Sequence, residues 1–131
     1  MTRRDFIYRS AILGAGASLS PMLVRASGKQ VGANDKIRVG LIGCNGMGFS
    51  NLTSFLRNSE VECIALADID QGVLDRRAAE VEKIQGKKPK GLYKDWRHLI
   101  DNKDVDVVIV GTPDHWHCLQ MVAACEAGKD V

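Results

Sequence analysis

A chain of 131 residues that is 45% hydrophobic and 26% charged has an ordinary globular composition and room for one domain, which excludes disorder as the default. Its 18 basic and 16 acidic residues leave a net charge of +2 and are mixed along the chain, so no basic stripe or polycationic tail marks a nucleic-acid surface. Cys44, Cys63, Cys118 and Cys125 form no C-x-x-C pair, and three of the four fall in apolar periodic segments, where a free thiol is expected to pack as a small hydrophobe.

The first segment, MTRRDFIYRSAILGAGASLSPMLVRASG, opens polar and arginine-bearing, continues through an apolar run from Ala11 to Val24, and reaches a small residue at Ala26. That is the order of a secretory signal, which takes no part in the fold. The apolar run is 14 residues, short of the roughly 20 a spanning helix needs, and Pro21 interrupts it, so no stable membrane anchor is expected. TRRDFI is similar to the twin-arginine export motif, with Arg3 and Arg4 as the pair and Phe6 and Ile7 as apolar followers. The expectation is a signal peptide over residues 1–26, with the export machinery as its partner and a periplasmic or otherwise exported location. A basic amphipathic helix is the alternative for this segment. Residues 27–35 read as a linker, and residues 36–131 as the domain.

From Lys36 onward, strands alternate with helices. IRVGLI (Ile37 to Ile42), VECIALA (Val61 to Ala67) and VDVVIVG (Val105 to Gly111) are short apolar runs rich in β-branched residues, as expected of strands buried on both faces. Between and after them, Leu52, Phe55 and Leu56 share a helical face, as do Leu74, Ala78 and Val81, and then Cys118, Val122 and Cys125. GLYKDWRHLIDN predicts a short strand at Leu92 and Tyr93 and a short helix that Asp95 or a neighbour caps. Such alternation argues for a parallel sheet covered on both sides, a doubly wound α/β domain.

The stretch GCNGMG lies where the first strand passes into the first helix, the position at which a glycine turn can bind a dinucleotide. Gly43 allows the tight turn, Gly48 lets the helix pack on the strand, and the helix amides turn their partial positive charge toward a pyrophosphate. Asn45 stands where the fingerprint has its middle glycine. Asn tolerates positive φ better than other non-glycine residues, and Gly46 follows at once, so backbone approach to a phosphate is retained. Gly43, Asn45, Gly46, Met47 and Gly48 are therefore candidate cofactor residues; a turn with no ligand is the alternative.

Asp68 ends the second strand, 20 residues after Gly48, where a carboxylate accepts hydrogen bonds from the adenosine ribose hydroxyls. Its charge repels a 2′-phosphate and so favours NAD over NADP. Arg76 and Arg77 could compensate for such a phosphate, but are expected to form the solvated face of the helix from Gln71 to Gln85, which Asp70 caps.

The VDVVIVG strand ends in Gly-Thr-Pro, where proline's missing amide stops pairing and opens the loop at the carboxyl edge of the sheet. Asp114, His115, His117 and Cys118 are metal-ligating types within five residues, but no second cluster supplies further ligands, so no metal site is expected. Trp116 is expected to be a packing residue.

Together RVGLIGCNGMG, ALADID, YKDWRHLID, DVVIVGTPDHWH and AACEAGKDV resemble, in order and spacing, the N-terminal half of the Gfo/Idh/MocA family of nicotinamide-dependent oxidoreductases, over Lys36 to Val131. That family often has G-x-G-G-x-G in its first turn, from which this chain departs at Asn45 alone. The resemblance implies a Rossmann domain in which Thr112, Pro113 and His117 lie along the cofactor near its nicotinamide end and EAGK leads into a fifth strand. It also implies a lysine in a Glu-Lys-Pro motif just beyond Val131 and a C-terminal α+β substrate domain. The chain is thus expected to be a fragment, able to bind cofactor but lacking its acid/base group.

The implied activity is hydride transfer between NAD and a sugar, cyclitol or similar polyol. Two alternatives stay open: an NAD-dependent glycosidase that uses transient oxidation, and a non-catalytic dinucleotide-binding module. A homo-oligomer is also left open.

Overall fold

The computed structural model describes residues 35–131. The expected signal peptide and most of the linker lie outside the described residues. Four parallel strands, β1 (Ile37–Ile42), β2 (Val61–Ala67), β3 (Gly91–Tyr93) and β4 (Val107–Val110), form one sheet in the order β3-β2-β1-β4. Helices α1 (Gly46–Phe55), α2 (Gln71–Gln85), α3 (Trp96–Asp101) and α4 (Asp114–Glu126) follow the strands in turn. This is the doubly wound Rossmann arrangement.

Alternation along the strands assigns side chains to two layers, since successive residues point to opposite faces. Val39 and Leu41 pack on one face with Phe49 and Leu52 of α1 and with Val73, Leu74, Ala78 and Val81 of α2. Ile42, Ala65, Ala67 and Val108 pack on the other with Leu99 and Ile100 of α3 and Ala124 of α4. Both faces are covered, as the near-continuous apolar strands require.

Local signals stop the helices where the sequence places them. Asp70 accepts from the amides of Gly72 at 2.8 Å and Val73 at 3.2 Å, and Asp95 caps α3 from the Arg97 amide at 2.9 Å. Gly86 ends α2 at φ 73°, the left-handed cap that glycine adopts without penalty.

The structure departs from the sequence reading in α4. Cys118, Val122 and Cys125 face solvent, and the inward residues are Gln120 and Ala124. Apolar residues surround this helix, so periodicity does not single out a face. The Thr112 hydroxyl, donating to Gln120 Oε1 at 2.6 Å, turns the amide inward. Trp116 is also exposed rather than packed in the core, as is Phe55 of α1. Cys44 and Cys63, by contrast, are fully buried.

β4 starts two residues later than expected because Asp106 is held by Arg38, whose guanidinium donates to it at 3.0 and 2.7 Å. After α4, Asp130 pairs in parallel with Val107, its carbonyl accepting from the Val108 amide at 2.8 Å. The segment after EAGK therefore enters the sheet beside β4. Lys129 anchors that entry, its ammonium donating to the carbonyls of Asn102 at 2.8 Å and Val105 at 2.9 Å.

Candidate dinucleotide-binding site

The strand order reverses at β1, with β2 and β3 on one side and β4 on the other. A crevice outside the carboxyl ends of such strands is where open α/β sheets take ligands. Gly43, Asp68 and Gly111 directly follow β1, β2 and β4 and so border that crevice.

The turn is drawn together by contacts that only glycine permits. Gly43 sits at φ 81°, and a Cβ there would lie 2.7 Å from the Gly111 carbonyl carbon and 2.8 Å from the Thr112 nitrogen. A Cβ on Gly111 would lie 2.5 Å from the Gly48 Cα, and one on Gly48 would strike the Gly43 carbonyl oxygen. Gly43, Gly48 and Gly111 thus let the first turn, the start of α1 and the end of β4 meet backbone to backbone.

Gly46 behaves differently. Its φ is 50°, and nothing lies within 4 Å of the place a side chain would occupy. Asn45 is extended, at φ −103° and ψ 168°, so the left-handed conformation falls on Gly46 and not on Asn45. This corrects the reason Asn45 is tolerated: the turn asks no unusual backbone of it. Asn45 makes no side-chain cap bond, and no acidic residue stands in the first turn of α1, so that turn's orphan amides stay available to an anion. Met47, 73% exposed, flanks the opening.

Asp68 is fixed beside this turn. Its Oδ2 accepts from the Cys44 amide at 2.8 Å and its Oδ1 from the Asp70 amide at 3.0 Å. A carboxylate has about four lone-pair sites, so two remain for ribose hydroxyls. Burial, and then the neighbouring Asp68 charge, push the Cys44 thiol up to about 12, which keeps it protonated and inert at neutral pH.

Two arginines expected on a solvated face reach back to the turn. Arg77 is half-buried: its Nε donates to the Cys44 carbonyl at 3.0 Å, its guanidinium lies 4.1 Å over the Phe49 ring, and Nη1 pairs with Glu80 at 2.7 Å. The sequence did carry a signal, since Arg77 lies four residues from Val73 and four from Val81, on the buried stripe of α2. Arg76 is exposed and donates to Asn45 Oδ1 at 3.2 Å.

At the β4 side, Pro113 occupies the N-cap position of α4. His117 Nε2 meets the Thr112 carbonyl at 2.5 Å; a carbonyl only accepts, so Nε2 carries the proton. Thr112 and His117 are thereby locked to each other, while Thr112 also touches the Gly43 backbone. Among the described residues no group of three or more His, Cys, Asp or Glu is gathered to hold a metal. The open turn at Gly46, the free α1 amides and the Asp68 carboxylate fit the pyrophosphate and adenosine ribose of a dinucleotide.

Comparison with known proteins agrees with that geometry. Residues 37–131 match the Gfo/Idh/MocA oxidoreductase family, NAD-binding Rossmann fold. A glycosyl hydrolase family 109 protein of Stenotrophomonas maltophilia is 33% identical, with 100% of this chain and 29% of that protein covered. Another from Shewanella baltica is 37% identical, covering 72% of this chain and 21% of its own length. Among solved structures, an NAD binding oxidoreductase from Klebsiella pneumoniae is 32% identical at a TM-score of 0.61, covering 72% of this chain and 26% of that one. The scyllo-inositol dehydrogenase of Lactobacillus casei, solved with NAD(H) and scyllo-inositol, superposes at a TM-score of 0.64 with 21% identity, a likeness of fold over 72% of this chain and 26% of that one. This chain therefore spans about 29% or less of these relatives and belongs to the Gfo/Idh/MocA oxidoreductase family, as its NAD-binding Rossmann domain.

Proposed function

We propose that this chain supplies the NAD-holding part of an exported enzyme that moves hydride between a nicotinamide and a sugar, cyclitol or similar polyol. The observation that carries the reading is the meeting of the open turn at Gly46 with Asp68, whose carboxylate the Cys44 amide holds at the turn. When bound, NAD supplies or takes up the hydride. The chain's own residues hold the adenosine end: α1 amides on the pyrophosphate, Asp68 on the ribose. Asp68 opposes a 2′-phosphate and selects NAD over NADP. Thr112, Pro113 and His117 border the cofactor's other end, and the acid/base group comes from outside these residues.

Glycoside cleavage through transient oxidation is a second reading, favoured by the relatives named as family 109 glycosyl hydrolases and by an alpha-N-acetylgalactosaminidase of Shewanella oneidensis, 28% identical over 97% of this chain. Such a cycle would exchange the leaving group for water and return the sugar's hydride, so NAD would show no net change. Incubating the whole protein with NAD, free polyols and nitrophenyl glycosides separates the two. Net NADH absorbance supports the first reading, nitrophenol release without it supports the second, and NAD binding with neither leaves a non-catalytic module.

The Stenotrophomonas relative aligns over the N-terminal segment too, which supports a shared leader. Replacing Arg3 and Arg4 by Lys is expected to retain the precursor in the cytoplasm; unaltered export would contradict a twin-arginine signal.

A further inference from the structure

We propose that Arg76, oriented by Asn45, is a phosphate-binding residue that acts on the cofactor's pyrophosphate beside the open backbone at Gly46. The inference rests on the NAD-binding reading above. A guanidinium only donates, so the Asn45 atom 3.2 Å from Arg76 Nη2 is the amide oxygen. One lone pair of the Asn45 amide oxygen is thereby engaged, and its NH2 remains as a donor. The rest of the Arg76 guanidinium bonds nothing else among the described residues. The pair therefore presents the remaining guanidinium donors, the Asn45 NH2 and a positive charge beside the uncapped, acid-free first turn of α1.

The surrounding groups exclude simpler roles. Arg77 is held by Cys44, Glu80 and the Phe49 ring, so it staples the turn and is not free to take a ligand. Asp68 is anchored by the Cys44 and Asp70 amides, while Arg76 donates to the Asn45 amide oxygen. Gly46 leaves the backbone open to a phosphate, and Asn45 positions a cation beside it. Asn45 is a positioning residue in this arrangement and Arg76 the contact.

Equilibrium titration of the whole protein with NAD, NADP, ADP and adenosine tests the assignment without reference to turnover. R76A is expected to weaken NAD and ADP by roughly ten- to a hundredfold, the range of a charge-assisted hydrogen bond, and to leave adenosine within about twofold. R76K is expected to fall between, keeping charge but losing the fork. In an N45G background the R76A loss should shrink, because the group that orients the guanidinium is gone. Arg76 is exposed, so an unchanged melting curve confirms that the fold is intact. Equal losses for NAD and adenosine, a loss confined to NADP, or full additivity of R76A with N45G would overturn the assignment. Wild-type protein that binds no NAD would overturn the proposed function along with it; wild-type binding that R76A leaves unchanged overturns Arg76 alone.

Discussion

The two flanks of β1 are built differently. Toward β2 the sheet is closed by α2, which buries Val73, Leu74, Ala78 and Val81 and returns Arg77 to the glycine turn. Toward β4 the covering helix α4 has 13 residues and buries only Gln120 and Ala124, leaving Trp116, Leu119, Met121 and Val122 between 44% and 50% exposed. The β2 side of the crevice is thus fixed by its own packing. The other side relies on two hydrogen bonds, Thr112 to Gln120 and His117 to Thr112. The seam between the flanks is the backbone contact of Gly43, Gly48 and Gly111.

The cysteines report this contrast most strongly. Burial pushes Cys44 and Cys63 up to about 12, while Cys118 and Cys125 are exposed on α4. At pH 8 the two buried thiols stay protonated. Iodoacetamide should therefore label two thiols per chain in the folded protein and four in denaturant, and early labelling of Cys44 or Cys63 would break the comparison. The same burial fixes a sign. Unfolded thiols lose their proton near 9.0 and folded ones near 12, so stability should fall as pH rises through that window.

At the seam, Gly43→Ala adds a left-handed residue and a methyl within 2.7 Å of backbone, a loss of about 3 kcal/mol in urea unfolding. On the closed flank, Arg77→Ala removes the bond to the Cys44 carbonyl and the stacking on Phe49, at a cost of about 1–2 kcal/mol. On the open flank, Val122→Lys should change the stability of this domain by less than about 0.5 kcal/mol. A large loss there would show that α4 is packed in the folded protein and that the flanks are equivalent.

The closed flank was also the more legible in the sequence. β1 and β2 follow from apolar, β-branched runs ended by Gly43 and Asp68, and α2 from its cap at Asp70 and its stripe of Leu74, Ala78 and Val81. α4 misled because its apolar residues run all round the helix, and the group that orients it is Gln120, whose polarity argues for the surface until Thr112 is placed beside it. The turn was legible as a site but not in its backbone. Asn45 draws attention as the exception to the glycine pattern, yet the positive φ lies one residue on, at Gly46. Arg76 was unreadable because its partner lies 31 positions away and meets it only through the crossover.

The account rests on Gly46 as the point where backbone meets phosphate, and Gly46→Val tests it most directly. Nothing lies within 4 Å of the new Cβ, so the main strain is the left-handed φ, which costs at least about 1–2 kcal/mol. NAD titration of this variant in the whole protein is expected to show at least a tenfold loss of affinity with the fold retained. Affinity equal to that of the wild type would contradict the placement of the dinucleotide on this turn.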